Sequence, residues 1–393
     1  MIKTVSILGS TGTIGKSLLN IIASDKKNFQ IVLLTADKNH KLLIKQAKKF
    51  KVKNLIITNR KSYEILKDKL KKNKSINIFN NYNCFNKIFK KKIYYVMSSI
   101  SGINGLPPTL KIIKYTQNIA IANKESIIVA WNLISKELKK NSTNFVPVDS
   151  EHFSIWYGLN NYRSSSIDKI YLTASGGPFL NYDYKKLKNI EPKDALKHPK
   201  WKMGKKISID SSTLMNKIFE LIEAQKLFNI PKEKIDIIIH PNSLVHAIIE
   251  LKNGLIKFIY HETSMKVPLA NAIFAGKLNI DDFYKKNKKT DILLENLSFE
   301  KVKKKNFPII KIKNRITEYP STPIIINAVN ELLVNLFLTK KLPYLSITKT
   351  ILYILNDYNY RKYAIKKPKN IKEIVKIDTW AREVIKRKFN LND

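Results

Sequence analysis

A strand-like run, Thr4–Leu8, passes directly into Gly9, Gly12 and Gly15 and then into an apolar helical stretch, giving TVSILGSTGTIGKSLLNII. Few local patterns restrict a fold as strongly. Gly9 permits a tight turn, Gly12 lets backbone N–H groups approach an anion, and Gly15 lets the helix pack close to the sheet. The spacing GxxGxxG is a relative of the commoner GxGxxG, and strand, glycine turn and helix together predict a dinucleotide site in a parallel-sheet domain. The segments that follow support this: QIVLLTA, a helix from Lys41, NLIIT and IYYVMSSI alternate β-rich and helical character.

The chain has 393 residues, more than one hydrophobic core usually organises, so two or three domains are expected. No apolar run approaches the roughly 18 residues of a membrane span, and no leader-like N-terminal pattern is present, which predicts a soluble protein, cytoplasmic or a mature form, with no membrane partner. One cysteine, Cys84, excludes an internal disulfide and a multi-cysteine zinc site. The formal charge of +41 raises the question of nucleic acid. Lysines, however, are scattered along the chain, while arginine is confined to Arg60, Arg163, Arg315, Arg361, Arg382 and Arg387. Joint enrichment in Lys, Asn and Ile follows A/T-rich codons better than a selected binding face, so no nucleic-acid partner is expected and the charge is read as an attraction for anionic ligands.

The pattern predicts an α/β fold: an N-terminal Rossmann-like parallel-sheet domain over residues 1–148, a central α+β catalytic domain over 149–280 and a small C-terminal helical domain over 307–393. Strands KIYLTAS, KIDIIIH, HAIIEL and LIKFIYH suggest a partly antiparallel sheet in the central domain. Residues 281–306, rich in Lys and Asn, read as a solvated linker. A loop near 198–206, HPKWKMGKK, has the mixture expected of a lid.

After the strand-like run Gln30–Thr35, an acidic Asp37 favours a ribose hydroxyl, whereas Lys38 and Asn39 favour a 2′-phosphate. Locally the choice between NAD and NADP stays open. In V-D-S-E-H, Asp149 and Glu151 either aim two carboxylates to one side of a strand end or sit at a helix start, where Asp149 caps. In IDSSTLMNKIFELIE, Asp210, Ser211 and Ser212 are read at a helix start, with Asn216, Lys217, Glu220 and Glu223 along it. Lys217 and Glu220 at i, i+3 are commonly a surface ion pair, yet hydroxyls, an amide and a lysine also make a phosphate cradle. Three carboxylates near such a cradle suit Mg²⁺ or Mn²⁺, while His240 and His246 lack zinc spacing. The Ser175 hydroxyl in T-A-S-G-G-P-F is open to an anion or belongs to a plain turn.

GSTGTIG, ANKES, PVDSEH, SGGPF, HPKWKMGKKIS, DSSTLMNKIFELIEA and HPNSLVH occur in this order. Together they resemble the 1-deoxy-D-xylulose-5-phosphate reductoisomerase family, from Thr4 to about Pro268, and more weakly through NAVNE and DTWAREV. The resemblance implies an NADPH- and divalent-metal-dependent homodimer (Mn²⁺ or Mg²⁺, with Co²⁺ admitted) that rearranges a ketose phosphate and reduces the product to 2-C-methyl-D-erythritol 4-phosphate. It implies that Asp149, Glu151 and Glu220 are metal ligands, and that Ser175, Ser211, Asn216 and Lys217 meet the phosphate. It further implies that Lys124, Ser150 and His198 touch substrate, and that Lys124 balances developing negative charge. Thr11, Gly12, Thr13, Ile14, Lys38, Asn39, Asn123, Glu125 and Gly204 are implied cofactor contacts, with Asp37 beside them; Trp201 and Met203 are implied on the lid. The chain departs from the family at Asp37, where glycine is usual, and at Thr263–Lys266, where a proline-led segment is usual. Rival readings are a semialdehyde or homoserine dehydrogenase, which leaves the three carboxylates unexplained, and a lysine-rich nucleic-acid-binding protein.

Overall fold

β1 (Lys3–Leu8) lies between β2 (Phe29–Ala36) and β5 (Ile93–Ser98), so the chain leaves β1 at the point where strand order reverses. With β3 (Asn54–Ile57), β4 (Asn77–Phe79), β6 (Thr116–Ile121) and β7 (Asn144–Phe145) the order is β4-β3-β2-β1-β5-β6-β7, and every pairing is parallel. Crevices at such reversal points, beyond the carboxyl ends of the strands, are where doubly wound sheets take ligands. This computed structural model describes residues 2–71, 75–160, 162, 164–201, 203–275 and 296–391. Among them no helix is long and apolar enough to cross a membrane.

The chain divides into two compact units. The first comprises the parallel sheet and its helices, up to Asp149, together with a segment beginning at Met265. That segment supplies the helix Lys266–Phe274, whose Leu269 and Ile273 are fully buried in the same core as Val5, Leu18 and Ile22. Each such side chain contributes about 1.5–3 kcal/mol by leaving water. Phe274 meets Phe29 edge-on at 5.2 Å, and Tyr94 donates to the Ile273 carbonyl at 3.2 Å. The sequence had grouped this helix with the central domain, because only its contacts assign it to the sheet.

The second unit holds a mixed sheet, β11-β10-β8-β9-β12, of β8 (Ile167–Ala174), β9 (Ile235–Ile239), β10 (Val245–Leu251), β11 (Ile256–Tyr260) and β12 (Glu300–Lys301). β8 and β9 are parallel and the remaining pairs antiparallel. β12 falls inside the stretch expected to be a solvated linker and instead closes the sheet edge; residues 281–295 of that stretch lie outside the described residues. The C-terminal helices Thr322–Leu338, Tyr344–Ile354 and Ile371–Lys388 are as expected helical, but they belong to this unit rather than standing apart. Asn330 on the first of them donates to buried Asp210 at 2.7 Å, and Tyr344 donates to Ser212 at 3.2 Å. The sequence also gave no sign of the helix Arg60–Lys69 or of β4.

Candidate functional site

In the first unit the glycine turn has the shape its sequence requires. Gly9 has φ +83°, and a Cβ there would stand 2.7 Å from the Ser99 carbonyl oxygen at the end of β5. A Cβ on Gly15 would come within 2.5 Å of the Gly9 oxygen and 2.6 Å of Ser10 Cα. Neither position admits a side chain. Thr35 at the end of β2 braces the turn: its Oγ1 accepts from Gly9 N–H at 2.9 Å and its carbonyl accepts from Ser10 N–H at 2.8 Å. Buried Gln46 adds a reciprocal pair with Ser10, each bond 2.8 Å. Gly12 then opens the helix Thr13–Ser24 with no side-chain cap and no acidic residue in its first turn. Its N-terminal amides therefore suit a phosphate oxygen. Thr11 and Ile14 are half-buried, and Gly12 and Thr13 exposed.

Two further groups of expected cofactor contacts stand at the carboxyl ends of β2 and β6, on either side of β1 and β5. Asp37, Lys38 and Asn39 follow β2 and are exposed. Asp37 Oδ1 accepts from the Thr58 hydroxyl at 2.8 Å, and Asn39 Oδ1 caps the helix His40–Phe50 by accepting from Leu42 N–H at 3.0 Å. Asn123, after β6, is buried: its amide donates to the Gly102 carbonyl at 2.8 Å while its oxygen caps the helix Lys124–Lys140 at Ser126 N–H. Glu125 occupies the first turn of that helix, and Lys124 Nζ pairs with Asp149 Oδ2 at 3.0 Å. Gly204, the remaining expected contact, belongs to the second unit, where it opens the helix Lys205–Ser212 with φ −67° and open space around its Cβ position.

The second unit gathers charge instead of backbone. Ser150 begins the helix Ser150–Gly158, so Glu151 sits in a first helical turn and not on an extended strand end; Asp149 is the residue before that helix. Ser150 Oγ donates to Glu151 Oε2 at 2.6 Å. Glu151 Oε1 contacts Lys217 Nζ, which also reaches Glu220 Oε2 at 2.7 Å. Asn216 donates to the other Glu220 oxygen. The i, i+3 pair of Lys217 and Glu220 is thus no surface pair: their side chains are 9% and 1% exposed. Burial alone would lower the Lys217 pKa, but Glu151 and Glu220 outweigh it and raise it, so the ammonium is retained. Glu151 and Glu220 offer oxygens within 4.8 Å of each other. Hard carboxylate oxygens of this kind fit Mg²⁺ or Mn²⁺, whereas His240 stacks on Phe299 and His246 on His261.

A corner built of glycines, a serine hydroxyl and an imidazole lies in the same unit. Gly176 and Gly177 have φ +81° and +64°, and a Cβ on Gly177 would press within 3.0 Å of the Ser211 carbonyl. Glycine is what lets the turn after β8 approach Ser211. That serine lies in the last turn of the helix Lys205–Ser212, and the chain reverses through Leu214 (φ +67°) before the helix Met215–Phe228. Asp210, Ser211 and Ser212 therefore end a helix rather than start one, and it is Asn216 and Lys217 that occupy the first turn. The DSSTLMN run conceals this break because neither glycine nor proline marks it.

His198 Nδ1 accepts N–H bonds from Lys200 at 3.2 Å and Trp201 at 2.9 Å. Its proton is consequently on Nε2, which donates to Ser175 Oγ at 3.1 Å, while Gly177 N–H donates to the same oxygen at 3.1 Å. With two bonds accepted, the Ser175 hydroxyl proton is directed to a further acceptor. Burial first, and the Lys217 charge second, lower the His198 pKa to about 4. The imidazole is neutral at pH 7. Trp201 and Met203 are half-buried in the loop, and Lys202 lies outside the described residues.

Sequence reasoning gave no role to His152 and Glu223. His152 Nε2 meets the Glu220 carbonyl at 2.8 Å and its Nδ1 stands 3.6 Å from Glu223 Oε2, with both side chains buried. The pair fixes the backbone that carries Glu220. Its signal was on the page in PVDSEH, but a histidine that acts through a main-chain carbonyl has no spacing to reveal it.

Comparison with known proteins follows the same geography. A family model described as 1-deoxy-D-xylulose 5-phosphate reductoisomerase matches residues 5–131, and two models of C-terminal domains of that reductoisomerase match 145–228 and 261–384. The chain is 50% identical over 383 residues to a 1-deoxy-D-xylulose 5-phosphate reductoisomerase of Pelagibacter ubique, covering 96% of this chain and 97% of that one. A reductoisomerase of Clostridium perfringens is 37% identical over 394 residues, covering 99% and 100%. Among solved structures, the Zymomonas mobilis reductoisomerase in complex with NADPH has TM-score 0.88 at 31% identity over 99% of both chains. A reductoisomerase in complex with NADPH, fosmidomycin and magnesium has TM-score 0.89 at 29% identity, again over 99% of both.

Proposed function

The chain belongs to the 1-deoxy-D-xylulose 5-phosphate reductoisomerase family, and from that premise we propose how its own residues divide the work. It is an NADPH- and divalent-metal-dependent reductoisomerase of isoprenoid precursor synthesis; neither a dehydrogenase of the homoserine type nor a nucleic-acid-binding protein is favoured. In our reading Asp149, Glu151 and Glu220 hold Mg²⁺ or Mn²⁺, and Ser175, Ser211, Asn216 and Lys217 hold the substrate phosphate. Thr11–Ile14, Lys38, Asn39, Asn123, Glu125 and Gly204 meet NADPH, Asp37 flanks its ribose, and Ser150, His198 and Lys124 meet substrate. Residues 198–206 act as a lid. The observation that carries this division is the Glu151–Lys217–Glu220 group, in which Lys217 and Glu220 are buried on the helix that follows Ser211 and Glu151 reaches them from the helix Ser150–Gly158.

When bound, the metal polarises the substrate ketone and lowers the pKa of the neighbouring hydroxyl, and NADPH supplies the hydride. The protein's part is orientation and charge. The Ser175 proton, directed outward by the His198 and Gly177 donors, binds a phosphate oxygen without adding a charge. Lys217 adds one positive charge beside it. That capture, remote from the reacting carbons, supplies binding energy for closing the 198–206 loop and excluding water. Lys124, paired with Asp149, balances negative charge as the carbon skeleton rearranges.

We assign the enzyme to the cytoplasm, consistent with its single, buried Cys84, and to a homodimer. Edge strand β11 supports the latter: Ile256 and Phe258 are 53% and 47% exposed, next to exposed Leu255. A strand edge with apolar side chains is ordinarily covered. The direct test follows NADPH absorbance with 1-deoxy-D-xylulose 5-phosphate and Mn²⁺ or Mg²⁺, with and without chelator. Metal-dependent oxidation of NADPH is expected; its absence rejects the reading.

A further inference from the structure

Lys217 serves two anionic groups that one ammonium cannot satisfy together. Its Nζ lies against Glu151 Oε1 and, at 2.7 Å, Glu220 Oε2, with 9% of the side chain exposed. These are the carboxylates assigned above to a divalent cation, and this is the lysine assigned above to a phosphate. We propose that Lys217 is an exchangeable counter-ion: it neutralises Glu151 and Glu220 in competition with the metal, and metal binding releases it to the phosphate. Metal and phosphate therefore bind cooperatively. The inference rests on the functional reading just given and adds to it the coupling between the two ligands.

Two carboxylates this close, Glu220 buried and Glu151 12% exposed, call for a positive partner, which the ammonium provides. A dication between the same oxygens repels the ammonium, so the two cannot share the position. Lysine suits an exchange better than arginine, because a flexible four-carbon stem carries a compact charge whose three donors have no fixed plane. Lys217 also stands in the first turn of the helix that follows Ser211, and its charge helps lower the pKa of His198, the imidazole bonded to Ser175, so the corner assigned above to phosphate is the second position open to it. Asn216, the preceding residue, donates to Glu220 Oε1 and helps hold that carboxylate in place while its counter-ion changes. Linkage makes the effect reciprocal: whatever factor the metal gives to phosphate affinity, phosphate gives to metal affinity.

The experiment measures Mn²⁺ affinity of the full-length protein from the electron paramagnetic resonance of free Mn²⁺, without sugar phosphate or NADPH. Lys217→Met and Lys217→Gln are compared with the parent, the glutamine variant retaining a polar side chain should the methionine variant not fold. Both are expected to bind Mn²⁺ about fivefold or more tightly than the parent, within the usual range of coupling factors. Saturating inorganic phosphate is expected to tighten Mn²⁺ binding to the parent and to leave the variants unchanged; complexation of Mn²⁺ by phosphate in solution is common to all and cancels in the comparison. Equal or weaker Mn²⁺ binding by the variants, or the same phosphate effect in variants and parent, overturns the exchange. Glu220→Gln separates this from the underlying reading: parental Mn²⁺ affinity in that variant means that the metal ligands themselves were wrongly assigned, and both fall.

Discussion

The end of β1 presents bare backbone amides, whereas the helix Met215–Phe228 presents buried charged side chains. The first arrangement is one of shape: Gly12 caps its helix without a side chain, and Gly9 and Gly15 leave room that no Cβ can share. The second is one of balance: Glu151, Glu220 and Lys217 are each tolerable in the interior because the others are there. Shape is broken by adding one methyl group and is insensitive to pH. Balance is broken by removing one charge.

The largest effect is therefore expected from neutralising a carboxylate. Glu220→Gln and Glu151→Gln each remove a carboxylate from the proposed metal site, where such an oxygen is worth several kcal/mol of charge stabilisation, so kcat should fall by on the order of a thousandfold or more. NADPH affinity, measured by cofactor fluorescence, should stay within about threefold, because uniform binding at a separate site is untouched. Near-normal turnover in either variant would remove that residue from the metal site.

Adding a methyl to the turn should act in the opposite sense. A Cβ on Gly15 meets only backbone, at 2.5 Å from Gly9 O, and nothing flexible can yield. Gly15→Ala should cost about 1–3 kcal/mol of stability through overpacking and weaken NADPH about tenfold or more, with Mn²⁺ affinity retained. Gly204→Ala is the control: with open space at its Cβ position and φ −67°, its thermal stability should change by less than about 0.5 kcal/mol. A Gly15→Ala protein as stable as the parent would show that the turn is not sterically closed.

Between these extremes lies the neutral corner. Ser175→Ala removes the hydroxyl proposed to meet the substrate phosphate, a bond worth about 1.5–3 kcal/mol, so KM for the sugar phosphate should rise roughly tenfold or more with kcat less affected. The His198 imidazole should titrate near pH 4 by NMR. Its folded pKa lies below the ordinary 6.5 of the unfolded chain, so the stability it contributes is complete above 6.5 and is lost as pH falls from there toward 4. A midpoint near 6.5 would show that the fold does not desolvate the imidazole and that the corner turns cationic just below neutral pH, which weakens the contrast with Lys217.

The same contrast explains what the sequence disclosed. Shape is written locally: Gly9, Gly12 and Gly15 between a strand and a helix name their purpose, and the parallel sheet follows from the alternation around them. Balance is assembled from distant segments, and spacing alone left Lys217 and Glu220 indistinguishable from a surface pair. Burial, which decided the matter, is a tertiary property. The helix break at Leu214 escaped notice because a leucine, not a glycine, takes the positive φ. Lys266–Phe274 was placed with its sequence neighbours because its attachment to Phe29 and Tyr94 spans more than 170 residues. Ordered motif matches, rather than any single spacing, named the family and carried the ligand assignments.

The smallest expected effect lies where shape and balance meet, at Asp37. Its carboxylate follows β2 at the place where a ribose is read, and by charge alone it disfavours a 2′-phosphate. It is exposed and its Oδ1 is engaged by the Thr58 hydroxyl, so solvent and salt screen most of its repulsion. Lys38 stands beside it with the opposite charge, while Asn39 Oδ1 is committed to Leu42 N–H, leaving its amide nitrogen as the end that suits a phosphate. NADPH should therefore be preferred over NADH in the parent, and Asp37→Gly should widen the preference by only about three- to tenfold in kcat/KM, more at low ionic strength than at high. Parental use of NADH equal to or better than NADPH would show that one exposed carboxylate outweighs both neighbours, and that cofactor choice here is set by side-chain charge and not by the turn.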